Sequence, residues 1–202
     1  MFIIGITGGT GSGKTSALRA LESLGALVLD CDAIYHELLL CSDELIAELG
    51  ARYPGVKQGG AIDRKALGEI VFNDQNALLD LNKITHKYVS GEIEARLDRW
   101  QTQGGSIAAI DAIALIESGR AKKCDVVVGI TAPAETRVTR IMRRDGITRG
   151  QAEMRINAQK PDEFFRDNCD HILEGTYDTS AQFEEKCKEF FAKILGGILH
   201  GG

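Results

Sequence analysis

The 202-residue sequence lacks several features that mark particular classes of protein. Its five cysteines form no C-x-x-C pair, so they predict neither a zinc knuckle nor a disulfide framework. No apolar run approaches the length of a membrane span, and no internal repeat or low-complexity linker is present. The formal net charge of −5 argues against a general nucleic-acid or anionic-membrane surface. We therefore expect a globular protein with small-molecule partners, without nucleic acid or membrane.

The feature that stands out against these absences is a glycine-rich segment near the start. Gly8-Gly9-Thr10-Gly11-Ser12-Gly13-Lys14-Thr15 matches the phosphate-binding pattern G-x-x-x-x-G-K-[ST] at every fixed position. An apolar run typical of a buried strand precedes it at residues 2–6, and a helical pattern beginning at Ser16 follows it. Glycines allow successive backbone N–H groups to approach an anion at the positive end of that helix. The segment predicts a nucleoside triphosphate site, with Lys14 on the phosphates and the Thr15 hydroxyl on Mg²⁺.

The position of this phosphate loop also indicates where the protein works. Because the loop starts directly after the first predicted strand, no room is left before it for a signal or transit peptide. Scattered cysteines suit a reducing compartment. We therefore expect a cytoplasmic location.

Acidic residues follow two further apolar runs. Residues 26–29 predict a second strand that leads into Asp30 and Asp32, which would point to the same side of an extended segment. Ligands of open α/β sheets bind at this edge, although one of the two could instead cap the next helix. Asp111 follows a third predicted strand at residues 106–110. It suits a contact with Mg²⁺ or water, the alternative being a turn or cap residue.

The stretch between the second and third predicted strands is mainly helical. After a loop containing Gly59-Gly60, residues 63–103 keep a helical spacing, with breaks expected at Asn73-Asp74 and Thr85-His86. We interpret residues 55–104, approximately, as a helical insertion that covers the acceptor side. It would interrupt a nucleotide-binding core of roughly residues 1–54 and 105–202 within one folding unit of 202 residues.

An arginine-rich helix follows the fourth predicted strand at residues 125–130. Arg140 and Arg144 lie one turn apart, a spacing that lets both close over a nucleotide. We expect a helical lid at about residues 143–165. We expect Arg137 and Arg143 to lie on a solvated face instead. Thr148 and Gln151 form a capping-box pattern that predicts another helix. The whole pattern predicts an α/β fold, a parallel sheet between helical layers with a helical insertion and a helical lid.

These motifs together resemble the dephospho-coenzyme A kinase family over nearly the whole chain. The resemblance includes residues 5–14, 30–32, 62–72, 85–86, 115–117, 140–145 and 155–159. It implies a nucleoside-monophosphate-kinase-like fold with a P-loop. The implied reaction transfers the γ-phosphoryl group of ATP to the ribose 3′-hydroxyl of dephospho-coenzyme A, giving coenzyme A and ADP in the last step of coenzyme A biosynthesis.

The same resemblance implies residue roles. Asp32 is the expected base, and Lys14 and Arg144 are expected as further catalytic groups. The phosphate loop, Ser16 and Arg140 are expected to bind ATP. The resemblance places Arg64 and His86 on the acceptor side, and from their positions after predicted strands we expect Asp30 and Asp111 to bind the substrate as well. The chain departs from the family pattern, which usually has Arg at His36, Pro at Lys87, Pro at Ile113 and Asn at Gly175. The first two departures bear on acceptor contacts and the last on a contact with adenine.

Alternative functions follow from the same residues. A kinase of this fold could phosphorylate another small hydroxylated metabolite or nucleotide, and a paralogue could bind nucleotide without catalysis. A further alternative is a nucleotide-dependent switch, because residues 82–85 resemble an incomplete N-K-x-D segment of the kind that recognises guanine. We discount it because these residues lie in a helical pattern and lack the final acid. The sequence does not determine the oligomeric state, and we expect a monomer.

Overall fold

The computed structural model of the protein describes residues 1–177 and 179–199. Within these residues, the strands are β1 (Phe2–Thr7), β2 (Leu27–Asp30), β3 (Lys57–Gln58), β4 (Ala61–Ile62), β5 (Ile107–Asp111), β6 (Val126–Thr131) and β7 (His171–Glu174). The helices are α1 (Lys14–Ser23), α2 (Cys31–Cys41), α3 (Asp43–Arg52), α4 (Arg64–Phe72), α5 (Gln75–Thr102), α6 (Ala134–Asp145), α7 (Arg149–Asn157), α8 (Asp162–Asn168) and α9 (Ser180–Leu199). None of the described helices is both long and apolar enough to cross a membrane.

A five-stranded sheet with the order β2-β5-β1-β6-β7 forms the centre of the fold. Strand β1 pairs in parallel with β5 and β6, and β6 pairs in parallel with β7. Helices separate these strands along the chain, as parallel neighbours require. The predicted α/β fold with a parallel sheet is confirmed.

The structure divides into two compact units, Met1–Leu29 with Trp100–Gly202 and Asp30–Arg99. The first has a core in which the β1 residues Ile4 and Ile6 are fully buried, and α1 packs against α9. Within this core burial raises the pKa of the Cys187 thiol to about 12, so the group stays protonated.

The second unit has its own apolar core. It joins α2 and α3 to the hairpin β3-β4 and to α4, through side chains that include Leu39, Leu49, Ile62 and Leu67. The unit thus begins about 25 residues earlier than the insertion that the sequence predicts, because the apolar faces of α2 and α3 pack within it. Gly59-Gly60, expected in a loop, form the turn of the hairpin.

Helix α5 runs without interruption from Gln75 to Thr102. The predicted break at Asn73-Asp74 is confirmed, and the Asp74 carboxylate accepts hydrogen bonds from the backbone of Asn76 and Ala77. The predicted break at Thr85-His86 is wrong. The Thr85 hydroxyl donates to the Leu81 carbonyl at 2.8 Å, so this buried polar group is satisfied inside the helix.

Candidate active site

The phosphate loop connects β1 to α1, in the context that the sequence predicts. Gly13 caps α1 in a left-handed conformation with φ of 113°, which only glycine adopts without strain. Among the residues that the structure describes, no side chain caps this helix, so amides at its start can donate to an anion bound at the loop. The Lys14 ammonium donates to the Gly8 carbonyl at 2.8 Å, so the lysine side chain lies across the loop whose bound phosphates it is expected to contact.

Arg140 holds the same loop from α6. One of its terminal nitrogens donates to the carbonyls of Gly11 and Ser12, each at 3.2 Å, and the other donates to the Gly175 carbonyl at 2.7 Å. The guanidinium is half-buried, and burial lowers its pKa. Arg140 therefore links the phosphate loop to the segment that follows β7.

Arg144 lies further along α6 and is more exposed. It forms a two-point ion pair with Asp145, and its Nη2 lies 3.4 Å from the Thr10 hydroxyl of the loop. Arg155 of α7 pairs with the same carboxylate. The hydrogen bond from Arg144, supported by the charges of both arginines, lowers the pKa of Asp145. The pair keeps Arg144 charged and near the loop.

Arg137 contradicts the expectation of a solvated side chain. Only 4% of it is exposed, and its Nε donates to the Thr10 carbonyl at 2.9 Å. Its terminal nitrogens reach Gln159 Oε1 at 3.0 Å and Asp162 Oδ1 at 3.5 Å. It is buried because Arg137 and Ile141 lie on the side of α6 that contacts the phosphate loop at Gly9 and Gly11.

Asp111 ends β5 at the edge of the sheet from which the phosphate loop leaves. The register of β1 and β5 places it opposite Ile6, and the Ala112 amide donates to the Ile6 carbonyl at 3.2 Å. The prediction that a carboxylate follows this strand at the carboxyl edge is confirmed in its position. Thr15, the predicted Mg²⁺ ligand, is exposed in the first turn of α1.

The predicted Asp pair belongs to the Asp30–Arg99 unit and has a different geometry from the one expected. Asp30 caps α2, and its carboxylate accepts from the amides of Asp32 and Ala33 at 2.9 and 3.0 Å. The helix therefore begins at Cys31, and the extended two-residue spacing assumed from the sequence is wrong. Asp32 is exposed in the first turn of α2.

The two other residues expected on the acceptor lie on different helices of this unit. Arg64 is the first residue of α4, which Asp63 caps, and its side chain is exposed. His86 is exposed on α5, next to the buried Thr85. Among the described residues no hydrogen bond joins Arg64 to His86.

Comparisons with known proteins identify the family. The family model for dephospho-CoA kinase (CoaE) matches residues 2–180, which is most of the chain. The chain belongs to the dephospho-CoA kinase family. A dephospho-CoA kinase of Geobacter sulfurreducens is 37% identical over 195 residues, covering 96% of this chain and 98% of the relative. The resemblance seen in the sequence is confirmed.

Two solved structures are similar to this chain in sequence and fold. A crystal structure of TT1252 from Thermus thermophilus has a TM-score of 0.81 at 32% identity and covers 96% of this chain and 97% of that one. A dephospho-CoA kinase from Campylobacter jejuni has a TM-score of 0.69 at 27% identity, with 96% and 98% covered.

Two departures from the family pattern lie in the Asp30–Arg99 unit. His36, where the dephospho-CoA kinase family usually has Arg, has its Nε2 at 3.4 Å from the Arg64 guanidinium. The departure therefore places a histidine, and not an arginine, beside Arg64, which we expect to bind the acceptor. Lys87, where the family usually has Pro, donates to the Glu48 carboxylate at 3.0 Å. Because lysine keeps its backbone N–H, it leaves α5 unbroken.

The other two departures lie beside the phosphate loop. The Ile113 carbonyl accepts from the Thr7 hydroxyl at the end of β1, at 3.1 Å. At Gly175, where the dephospho-CoA kinase family usually has Asn, a Cβ atom would lie 2.3 Å from the Ser12 carbonyl. The Gly175 segment therefore approaches the loop more closely than a residue with a side chain permits in this conformation.

The residue beside the phosphate loop that the sequence interpretation placed wrongly is Arg137, and its partner Gln159 was not singled out. The signal was present in the spacing, since Arg137 precedes Arg140 by three residues and Ile141 by four, which places all three on one side of α6. Gln159 follows α7 in a polar segment, and nothing in the sequence indicates its contact with Thr10.

Proposed function

We propose that this member of the dephospho-CoA kinase family transfers the γ-phosphoryl group of ATP to the ribose 3′-hydroxyl of dephospho-coenzyme A. The products are coenzyme A and ADP, so the reaction is the last step of coenzyme A biosynthesis. Family membership over residues 2–180 is the observation that carries this conclusion. The complete phosphate-binding pattern between a buried strand and a helix supports ATP as the phosphoryl donor.

The phosphate loop supplies most of the interaction with ATP in this proposal. Amides at the start of α1 would donate to the phosphate oxygens, and the Lys14 ammonium would exchange the Gly8 carbonyl for a phosphate. Phosphoryl transfer depends mainly on positioning and on stabilising charge, and these fixed donors provide both. Arg144, already near Thr10, would add positive charge to the transferred group, while Arg140 holds the loop in place.

Mg²⁺ fits the oxygen donors that this site offers. The Thr15 hydroxyl is exposed in the first turn of α1, and Asp111 ends the strand beside β1. Mg²⁺ usually keeps several waters and takes one or two protein oxygens together with substrate phosphates. When bound, the ion neutralises charge that develops on the phosphates. Within the described residues no group of three acidic, histidine or cysteine side chains could hold a metal, so binding would depend on the nucleotide.

We propose Asp32 as the base that orients the acceptor hydroxyl and accepts its proton. A ribose hydroxyl is a poor nucleophile at neutral pH, and a carboxylate at hydrogen-bond distance can accept the proton as the new bond forms. Asp32 is exposed, while the neighbouring Asp30 is committed to capping α2. Asp30 thus acts indirectly, by fixing the turn of helix that carries Asp32.

Arg64 and His86 remain our proposed acceptor contacts in the Asp30–Arg99 unit. Arg64 is exposed with His36 beside it, and a guanidinium binds phosphate oxygens through a fixed set of N–H donors. Dephospho-coenzyme A carries a diphosphate, which these groups could recognise. We also propose that the enzyme is a cytoplasmic monomer, and its scattered cysteines suit a reducing compartment.

A coupled assay of ADP release tests the proposed function. We expect ATP-dependent release of ADP with dephospho-coenzyme A, and only background release without acceptor or with coenzyme A, whose 3′-hydroxyl is already phosphorylated. Shikimate, gluconate and adenosine are tested in the same assay as alternative acceptors, because each represents the substrate of a kinase that acts on another small molecule. Faster turnover with one of those three compounds would favour the alternative of another substrate, and no turnover with any acceptor would favour a non-catalytic paralogue.

A further inference from the structure

The peptide groups at Thr10 are held on both sides by side chains that lie outside the phosphate loop. The Thr10 amide donates to Gln159 Oε1 at 2.8 Å, and its carbonyl accepts from Arg137 Nε at 2.9 Å. Arg137 Nη2 donates to the same Gln159 oxygen at 3.0 Å, which closes a ring of hydrogen bonds. Asp162 lies 3.5 Å from the third nitrogen and supplies an opposite charge.

We infer that Arg137 and Gln159 are positioning residues for ATP, which act by fixing the conformation of the phosphate loop. This inference rests on the proposed function, since it assumes that the loop binds ATP. Because Gln159 accepts from the Thr10 amide, that amide is not available to donate to a phosphate. The anion site is then formed by amides later in the loop and at the start of α1.

The loop needs such support because its own sequence is flexible. Thr10 lies between Gly9 and Gly11, and glycine restricts the backbone less than any other residue. Fixed donors stabilise charge without the cost of rearranging when ATP binds, so a loop held in place should bind ATP more tightly than a free one. Arg137 can give this support because its guanidinium is buried and its direction is fixed by three partners.

The close approach of Arg137 also explains why position 9 carries glycine. A Cβ atom at Gly9 would lie 2.1 Å from Arg137 Nη2 and 2.6 Å from Cζ. The φ angle of Gly9 is not positive, so the requirement at this position is for space. An alanine there must displace either the loop or the guanidinium, and either displacement disturbs the ring of hydrogen bonds.

Four variants test the inference, namely Arg137→Lys, Gln159→Leu, Gly9→Ala and Val138→Ala. Lysine keeps the charge of Arg137 but cannot donate to Thr10 and Gln159 from one rigid group. Val138 is buried on α6 next to Arg137, packs with Ile141 and Ala152, and controls for a loss of stability alone. Binding of ATP is measured by calorimetry without acceptor. The KM for each substrate and the Tm are measured in parallel.

We expect Arg137→Lys, Gln159→Leu and Gly9→Ala each to weaken ATP binding about tenfold, as the loss of a buried charged hydrogen bond does, with the KM for the acceptor unchanged. Val138→Ala should lower the Tm and leave ATP binding as in the wild type. The double variant Arg137→Lys with Gln159→Leu should bind ATP no more weakly than the worse single variant, because both changes break one ring.

Two results would overturn the inference. The first is that Arg137→Lys and Gly9→Ala change the affinity for ATP no more than the control Val138→Ala does. The other is additive losses in the double variant. A wild-type protein that does not bind ATP would instead overturn the proposed function, so the two failures are distinguishable.

Discussion

At the scale of single residues, the chemistry depends most on the carboxylate of Asp32. Replacing Asp32 by Asn keeps the size and polarity of the side chain and removes the proton acceptor. We expect kcat to fall by roughly 10²–10⁴-fold, the usual effect of losing a general base, while ATP affinity stays within a few-fold of the wild type. Steady-state kinetics with dephospho-coenzyme A and ATP calorimetry measure the two effects separately.

Asp43 offers a matched control for this substitution. It is also an exposed acidic residue in the first turn of a helix of the Asp30–Arg99 unit, and Asp43→Asn should keep wild-type kcat. An Asp32→Asn enzyme that turns over at the rate of Asp43→Asn would contradict the assignment of the base. Loss of activity in Asp30→Asn alone would then point to Asp30, since asparagine preserves the helix cap.

Single residues were predictable where their role depends on a local pattern. The phosphate loop, Asp111 and the Thr148 cap follow from neighbouring residues, and the structure places each at its expected element. Arg137 was not predictable in the same way, because its burial depends on contacts with Thr10 and Gln159, which are 127 and 22 residues away. From the sequence, Asp30 had two possible local roles, a site carboxylate at the end of a strand or the cap of the next helix, and in the structure it is the cap.

At the scale of elements, helix α5 shows what one departure from the family pattern does. Lys87 lies inside this helix and pairs on its surface with Glu48. Lys87→Pro removes a helical hydrogen bond and introduces a clash with the preceding turn, which should lower the free energy of unfolding by about 3 kcal/mol. Lys87→Ala loses the exposed ion pair but keeps the backbone donor, so it should change stability little.

Urea unfolding followed by circular dichroism compares the two variants with the wild type. Equal stability of Lys87→Pro and Lys87→Ala would show that α5 tolerates a break at this point, as the sequence pattern first indicated. The predicted break at Thr85-His86 was wrong because α5 continues through both residues, and the Thr85 hydroxyl, which could compete with the helical backbone, bonds to the Leu81 carbonyl within the helix. Strands and helices with strong apolar patterns, by contrast, were predicted to within a few residues.

At the scale of the whole molecule, the fold was predictable from the sequence, whereas the unit in which α2 and α3 pack was not. Alternating strands and helices around a phosphate loop specify a parallel α/β sheet, and this sheet is present. The boundary at Asp30 depends on how α2 and α3 pack, and an apolar helical face does not reveal its partner. The Asp30–Arg99 unit therefore contains the proposed base as well as the residues proposed for the acceptor.

The central claim for the whole molecule is phosphoryl transfer from ATP to the 3′-hydroxyl of dephospho-coenzyme A. It is tested most directly by measuring ADP release with two acceptor analogues that each lack one ribose hydroxyl. The account predicts turnover with 2′-deoxy-dephospho-coenzyme A and none above background with the 3′-deoxy compound. Turnover with the 3′-deoxy compound, or its absence with the 2′-deoxy compound when dephospho-coenzyme A itself is phosphorylated, would contradict the account.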